Sequence, residues 1–230
     1  MKDDIRNRLM ELRGRIAEAC EEHDRDADDI SILAVTKRFP ESVIQTVVAA
    51  GLLDIGESRV QEGVQKIVSL GPIARYHLIG HLQSNKVKKA VAHFDVIQSV
   101  DSWELAEEIN RCALEIDRTI DCLIQINASG ERSKSGVAPD KTLELVRRVK
   151  DLPAVELIGL MTIGPLTDDQ ELIRSAFRSC RDLFREGQDI VGDAFDTLSM
   201  GMTDDFALAI AEGATMIRVG TALFGDRPPA

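Results

Sequence analysis

The sequence predicts an α/β fold, a single (β/α)8 TIM-type barrel with an extra N-terminal helix. Three observations lead there. Eight short apolar segments along the chain read as strands, helical stretches alternate with them so that the sheet should be parallel, and 230 residues is the length that eight such units need in one closed barrel. An open doubly wound sheet is the competing arrangement. No Pro/Gly/Ser-rich linker interrupts the chain and no repeat of 20 to 50 residues is visible, so residues 1–230 read as one domain.

The elements follow in order. Across residues 3–22, Ile5, Leu9, Leu12, Ile16 and Ala19 recur at steps of four and three, which lays one apolar stripe along a helix. After the acidic run HDRDADD, SILAVTK (31–37) is a short, β-branched apolar segment, read as a buried strand that ends in Lys37. Further strands are expected near 53–56, 76–80, 95–100, 120–127, 155–162, 197–200 and 216–220. Among the helices between them, one begins at Ser84. A second carries Leu105, Ile109, Cys112 and Ile116 behind a capping-box-like Asp101/Glu104 pair, and a third carries Leu143, Val146 and Val149 behind Pro139.

Composition narrows the function classes. A hydrophobic fraction of 44% is enough to fill a core. The net charge of −11 argues against nucleic acid or an anionic membrane as partner, since either needs a basic surface. Cys20, Cys112, Cys122 and Cys180 are widely spaced, with no CxxC pair and no adjacent histidine, so reduced and mostly buried thiols are expected rather than a metal site or disulfides. The opening MKDDIRNRLMELRGRI lacks the apolar core of a signal peptide and no apolar run reaches membrane-spanning length, which points to a cytoplasmic protein.

In a barrel, polar residues that close apolar strands line the active face. Lys37 stands in that position, where partial desolvation would favour the neutral amine that condenses with an aldehyde; a solvated lysine opening a loop is the plainer alternative. At the other end of the chain, TLSMGMTDD (197–205) and RVGTALFG (218–225) follow the last two strands. Gly201 and Gly220 would let backbone N–H groups approach an anion, with Ser199 and Thr221 adding hydroxyls; ordinary turns with Thr203 as a helix cap read equally well. Arg218, inside the apolar strand MIRVG, needs either a carboxylate in the barrel or an acceptor on a ligand. His77 and His81 are separated by Gly80, so pocket-lining or satisfied histidines are expected rather than metal ligands. ASGERSKSG (128–136) reads as a polar loop carrying Arg132 and Lys134.

These segments, AVTK, IGESRVQEG, HLIGHLQSNKVKKA, SGERSKSG, GLMTIG, LSMGMTDDFALAI and IRVGTALFG, together resemble the pyridoxal phosphate homeostasis (YggS/PROSC) family, whose barrel is similar to the N-terminal domain of alanine racemase. The resemblance spans nearly the whole chain. It implies a domain that binds pyridoxal 5'-phosphate (PLP), with Lys37 as the Schiff-base lysine and Arg218 facing the pyridine nitrogen. Ser199, Gly201, Gly220 and Thr221 would hold the phosphate, Met200 would belong to the same cofactor site, Ser58, His77 and Met161 would line the pocket, and Lys134 would be a second PLP lysine. An arginine at that nitrogen disfavours its protonation and weakens the ring as an electron sink. Ser58 departs from the family, whose members usually carry asparagine after GE, so a ring-side hydrogen bond at the second strand end is not carried over.

Racemases of the related fold draw a tyrosine from a second domain, for which no room is expected here, and the sequence's one tyrosine, Tyr76, falls early in strand three. The expectation is therefore a monomeric PLP carrier or buffer without robust catalysis. It would pass PLP to apo PLP-dependent enzymes and respond to amino or keto acids. A PLP-dependent amino-acid racemase or lyase, using His77 or His81 as a second base, is the alternative. A Schiff-base aldolase-type barrel acting on a phosphosugar is a more distant one.

Overall fold

The computed structural model describes residues 2–131 and 135–225. Its elements run α1 (Lys2–Glu21), β1 (Ser31–Val35), α2 (Glu41–Ala49), β2 (Asp54–Glu57), α3 (Val60–Leu70), β3 (Arg75–Leu78), α4 (Val87–Val91), β4 (Val96–Val100) and α5 (Trp103–Leu114). They continue with β5 (Ile120–Ile126), α6 (Pro139–Val149), β6 (Val155–Thr162), α7 (Gln170–Val191), β7 (Thr197–Ser199), α8 (Phe206–Ala211), β8 (Met216–Val219) and α9 (Thr221–Phe224). The eight strands close into a parallel barrel in sequence order, as the alternation of strand and helix periods predicts. The open sheet is excluded by the β1–β8 pairing, which sets Leu33 opposite Arg218 and Ala34 opposite Val219.

The expected stripe of α1, Ile5 to Ala19, is buried, and the helix packs against α8 and α9, so the first helix covers the last two βα units. Most of the core lies between the strands and the ring of helices. Inside the barrel, Leu33, Val35 and Met216 form one apolar cluster, and Val96, Leu123 and Met161 another. Beside them lies a buried polar belt of His77, Gln98, Ser199 and Arg218, one residue from each of β3, β4, β7 and β8. Among the described residues no helix is long and apolar enough to cross a membrane. All four cysteines are buried and free, and burial pushes the Cys180 thiol up to about 12.

Local boundaries differ from the sequence reading in ways that bear on the site. β1 stops at Val35, so Lys37 stands two residues beyond the strand, in a turn. The stretch after Gln83 is a 3-10 turn, Ser84–Lys86, running into the short α4, rather than one helix from Ser84. The cap of α5 is Ser102, whose extended backbone lets its Oγ accept from Leu105 N–H at 3.3 Å; the neighbouring Asp101 instead faces His81 at 3.6 Å. Ile116 lies past that helix and is exposed.

Candidate functional site

The turn after β1 is held by a buried ionic cluster. Phe39 N–H bonds to Thr36 O at 3.0 Å, closing a turn in which Arg38 takes φ +68°, a left-handed conformation that a side chain with Cβ adopts only when its surroundings impose it. Those surroundings come from α3. Lys66 Nζ donates to Thr36 O at 2.8 Å, to Glu57 Oε1 at 2.7 Å and to Glu62 Oε1 at 2.8 Å, while Glu62 also accepts the Arg38 amide. Thr36 Oγ1 donates to Glu57 Oε1 at 2.6 Å. Both backbone neighbours of Lys37 are thereby pinned. Burial raises the Glu57 carboxyl above its ordinary range, against the pull of Lys66 and Thr36, and its Oε2 has no hydrogen-bond partner. Glu62 is also desolvated, yet Lys66, the Arg38 amide and Arg59 hold it below the usual range.

Arg218 projects from β8 into the same end of the barrel. One terminal nitrogen donates to Ser199 O at 2.7 Å and Ser199 Oγ at 2.9 Å, the other to Thr162 O at 2.7 Å. The sequence reading offered a carboxylate or a ligand acceptor as its partner; the structure supplies chiefly carbonyl oxygens, because the closing ends of β6 and β7 converge on it. A guanidinium has five N–H donors, so two remain. Burial brings its pKa down to about 10, opposed by Asp205 and then Cys180, which leaves a cation at neutral pH.

A cavity of about 470 Å³ opens at this face, within the range of small-molecule sites. The structure brings Lys37, Ser58, Arg218, Gly220 and Thr221 together on its wall. Gly220 and Thr221 begin α9, whose first N–H groups have no intrahelical acceptor. Thr203 lines the cavity beside them, its Oγ1 3.1 Å from Thr221 Oγ1 and accepting from Ala222 N–H at 3.3 Å. Asp205 is the residue that precedes α8, and its side chain does not cap that helix; Thr203 Oγ1 instead receives a first-turn N–H of α9.

Other expected residues stand behind the wall. The Ser199 hydroxyl is committed to Gln98 and Arg218, and Met200 N–H bonds to Met216 O at 3.0 Å. Gly201 has φ +91°, and a Cβ there would come within 2.6 Å of Ala209 Cβ; this glycine permits α8 to pack rather than opening a path to the cavity. Met161 lies in the apolar interior, and His77 is buried between Asp54 and Gln98, so neither lines the cavity. His81 does line it. Lys134, with Arg132, lies outside the described residues.

Several wall residues were not singled out from sequence. Gln125 and Asn127 close the apolar strand IDCLIQI, and the rule that drew attention to Lys37 applies to them equally. Val35, Ile79 and Ile163 give the wall apolar surface, and Asp204 adds one carboxylate. Gly80 also belongs to the wall, and a Cβ there would overlap the carbonyl oxygen of Ser58, so the loops after β2 and β3 touch backbone to backbone.

Comparison with known proteins adds relatives to this geometry. The family model described as alanine racemase, N-terminal domain, matches residues 14–228. A pyridoxal phosphate homeostasis protein of Haemophilus influenzae is 40% identical over 227 residues, covering 97% of this chain and 96% of the relative. A protein of the same name from Aquifex aeolicus is 41% identical over 221 residues, covering 96% and 97%. Among solved structures, PipY of Synechococcus elongatus PCC7942 with PLP bound superposes with a TM-score of 0.83 at 38% identity, covering 96% of this chain and 100% of that one.

Proposed function

The chain belongs to the pyridoxal phosphate homeostasis protein family, and on that footing we propose that it binds PLP at the barrel mouth through Lys37 and holds it for delivery rather than for turnover. PLP, when bound, supplies an aldehyde that a neutral amine captures reversibly and a ring that can withdraw electrons. The residues present fit that group. Lys37 would supply the amine, the start of α9 with Thr203 and Thr221 would receive the phosphate, and Val35, Ile79 and Ile163 offer apolar surface for the ring. Arg218, keeping its proton, would meet the ring nitrogen as a donor and so keep that nitrogen unprotonated.

The observation that carries the reading is that Lys37, from one end of the chain, shares a single cavity with Arg218, Gly220 and Thr221 from the other. The test is direct. Mixed with PLP, the protein should develop a visible absorption band, and borohydride reduction followed by peptide mapping should place a phosphopyridoxyl group on Lys37. An adduct that survives Lys37→Ala at another position would reject the assignment.

Carriage rather than catalysis is supported by what the wall offers for proton transfer. Tyr76, the sequence's one tyrosine, is buried with its hydroxyl 3.3 Å from Gly71 O, and burial raises its pKa. His77 is enclosed, which leaves His81 beside Asp101 as the histidine on the wall for a racemase or lyase. Exchange of α-deuterium from amino acids at tens of turnovers per second would favour that alternative. Action as a cytoplasmic monomer, response to amino or keto acids and transfer to apo PLP-dependent enzymes belong to the same proposal. The last is tested by whether apo-enzymes regain activity faster with the loaded protein than with free PLP. Lys134 is proposed as a transit lysine, tested by transfer kinetics of Lys134→Ala.

A further inference from the structure

A hydrogen-bond chain crosses the barrel interior. Arg218 donates to Ser199 Oγ at 2.9 Å, and Ser199 Oγ to Gln98 Oε1 at 2.8 Å. Gln98 Nε2 lies 2.9 Å from His77 Nδ1, and His77 Nε2 lies 2.9 Å from Asp54 Oδ1. Arg218, Ser199, Gln98 and His77 are all buried, while Asp54, the first residue of β2, is partly exposed at the barrel's other end.

Both ends polarise the chain in the same sense, since Arg218 can only donate and the Asp54 carboxylate, desolvated yet held below its usual range by His77 and Arg75, can only accept. A guanidinium has no acceptor, so Ser199 must accept from Arg218 and has a single proton to give onward. That proton goes to Gln98, which sets the amide oxygen toward Ser199 and the amide nitrogen toward His77. Nδ1 of His77 must then be unprotonated, and the ring carries its proton on Nε2, donated to Asp54. Each step fixes the next, and hydrogen bonds aligned this way in a buried, low-dielectric interior reinforce one another. Burial lowers the His77 pKa, Asp54 and Asp95 oppose that, and Arg75 adds to it, in keeping with a neutral ring.

We infer that Asp54 is a positioning residue for Arg218: acting through His77, Gln98 and Ser199, it fixes the hydroxyl that anchors one edge of the guanidinium and so aims the remaining donors into the cavity. This rests on the reading that Arg218 meets the ring nitrogen of PLP. The role would be invisible from contact with the ligand, since the cavity wall includes none of Asp54, His77, Gln98 and Ser199.

The test separates the two readings. In unliganded protein carrying 15N-histidine, NMR should find His77 as the neutral Nε2–H tautomer above about pH 6.5, the ordinary histidine value, and Asp54→Asn should shift that tautomer balance. With PLP labelled at the ring nitrogen, the 15N shift should move in Asp54→Asn and in Gln98→Leu, and PLP should dissociate roughly 5-fold more readily, the scale of one net hydrogen bond. Borohydride should still trap PLP on Lys37 in both variants. Wild-type His77 protonated on Nδ1 at pH 7 overturns the chain, as does an unchanged nitrogen shift and affinity in both folded variants. Should wild type trap no PLP on Lys37, the PLP reading fails while the tautomer result still decides the chain. If neither variant folds, the wild-type tautomer decides alone.

Discussion

Lys66 Nζ lies 2.8 Å from the carbonyl oxygen of Thr36, the residue immediately before Lys37. A lysine on the face of α3 thus holds the backbone of the lysine proposed to carry the ligand, and it does so with its own charge matched by Glu57 and Glu62. Removing one member of such a buried set leaves the others uncompensated, which is costlier than never having built it.

Lys66→Met is therefore expected to destabilise the fold by roughly 3–5 kcal/mol and to weaken PLP binding without moving the attachment from Lys37. The sign of its pH dependence follows from Glu57, whose folded pKa is already raised above the ordinary 4.5 of a glutamate. A raised carboxyl favours the folded state below its unfolded pKa and loses that advantage as pH rises through the folded value. The variant's deficit should thus be smallest below about pH 4.5 and grow above it, read from urea unfolding at several pH values.

His77 behaves in the opposite sense. Its folded pKa lies below the ordinary 6.5 because burial outweighs Asp54, so its contribution is complete above that pH and is lost as pH falls through the folded value. His77→Gln should flatten the acid limb of stability against pH by no more than about 1.4 kcal/mol per pH unit, the limit for one proton. Parallel wild-type and variant curves between pH 5 and 7 would contradict this.

Two glycines should respond with opposite sign. Gly14 is exposed in the interior of α1, where an added Cβ would meet open space, so Gly14→Ala should stabilise by about 0.5–1 kcal/mol. Gly80→Ala would set a methyl group on the Ser58 carbonyl, forcing apart the loops after β2 and β3; a loss of roughly 1–3 kcal/mol and weaker PLP binding are expected. Thermal unfolding of both variants, with PLP titration of the second, checks the pair.

Ser58→Asn restores the residue usual in the resembling family at a position on the cavity wall. An added amide within reach of the ring should tighten PLP binding by roughly 5-fold, one net hydrogen bond. Equilibrium titration by fluorescence quenching measures it, and equal or weaker binding would show that the serine is not a loss to the site.

The stripe of α1 and the eight strands were legible because their periods are local: a helix buries every third or fourth residue and a parallel strand buries nearly all of its short run. Boundaries were less so. Asp101 and Ser102 are both good caps by type, and which one bonds Leu105 depends on a backbone angle at Ser102 and on His81 across the loop. At the site, Lys37, Arg218, Gly220 and Thr221 were visible as polar or glycine residues at strand ends. Ser199 belongs to the same pattern, yet its hydroxyl turns to Gln98 and Arg218, a choice made by residues 101 and 19 positions away.

By itself the sequence determined the order of elements, the parallel alternation and the family resemblance, since these follow from local periodicity and from motifs spread along the chain, while closure of the sheet waited on the β1–β8 pairing. Only the tertiary structure decided which polar residues face the cavity and which bind one another inside the barrel. The physical reason is that a buried donor or acceptor takes whatever partner the closed sheet brings within about 3 Å. Such partners come from strands distant in sequence, so no local pattern announces them.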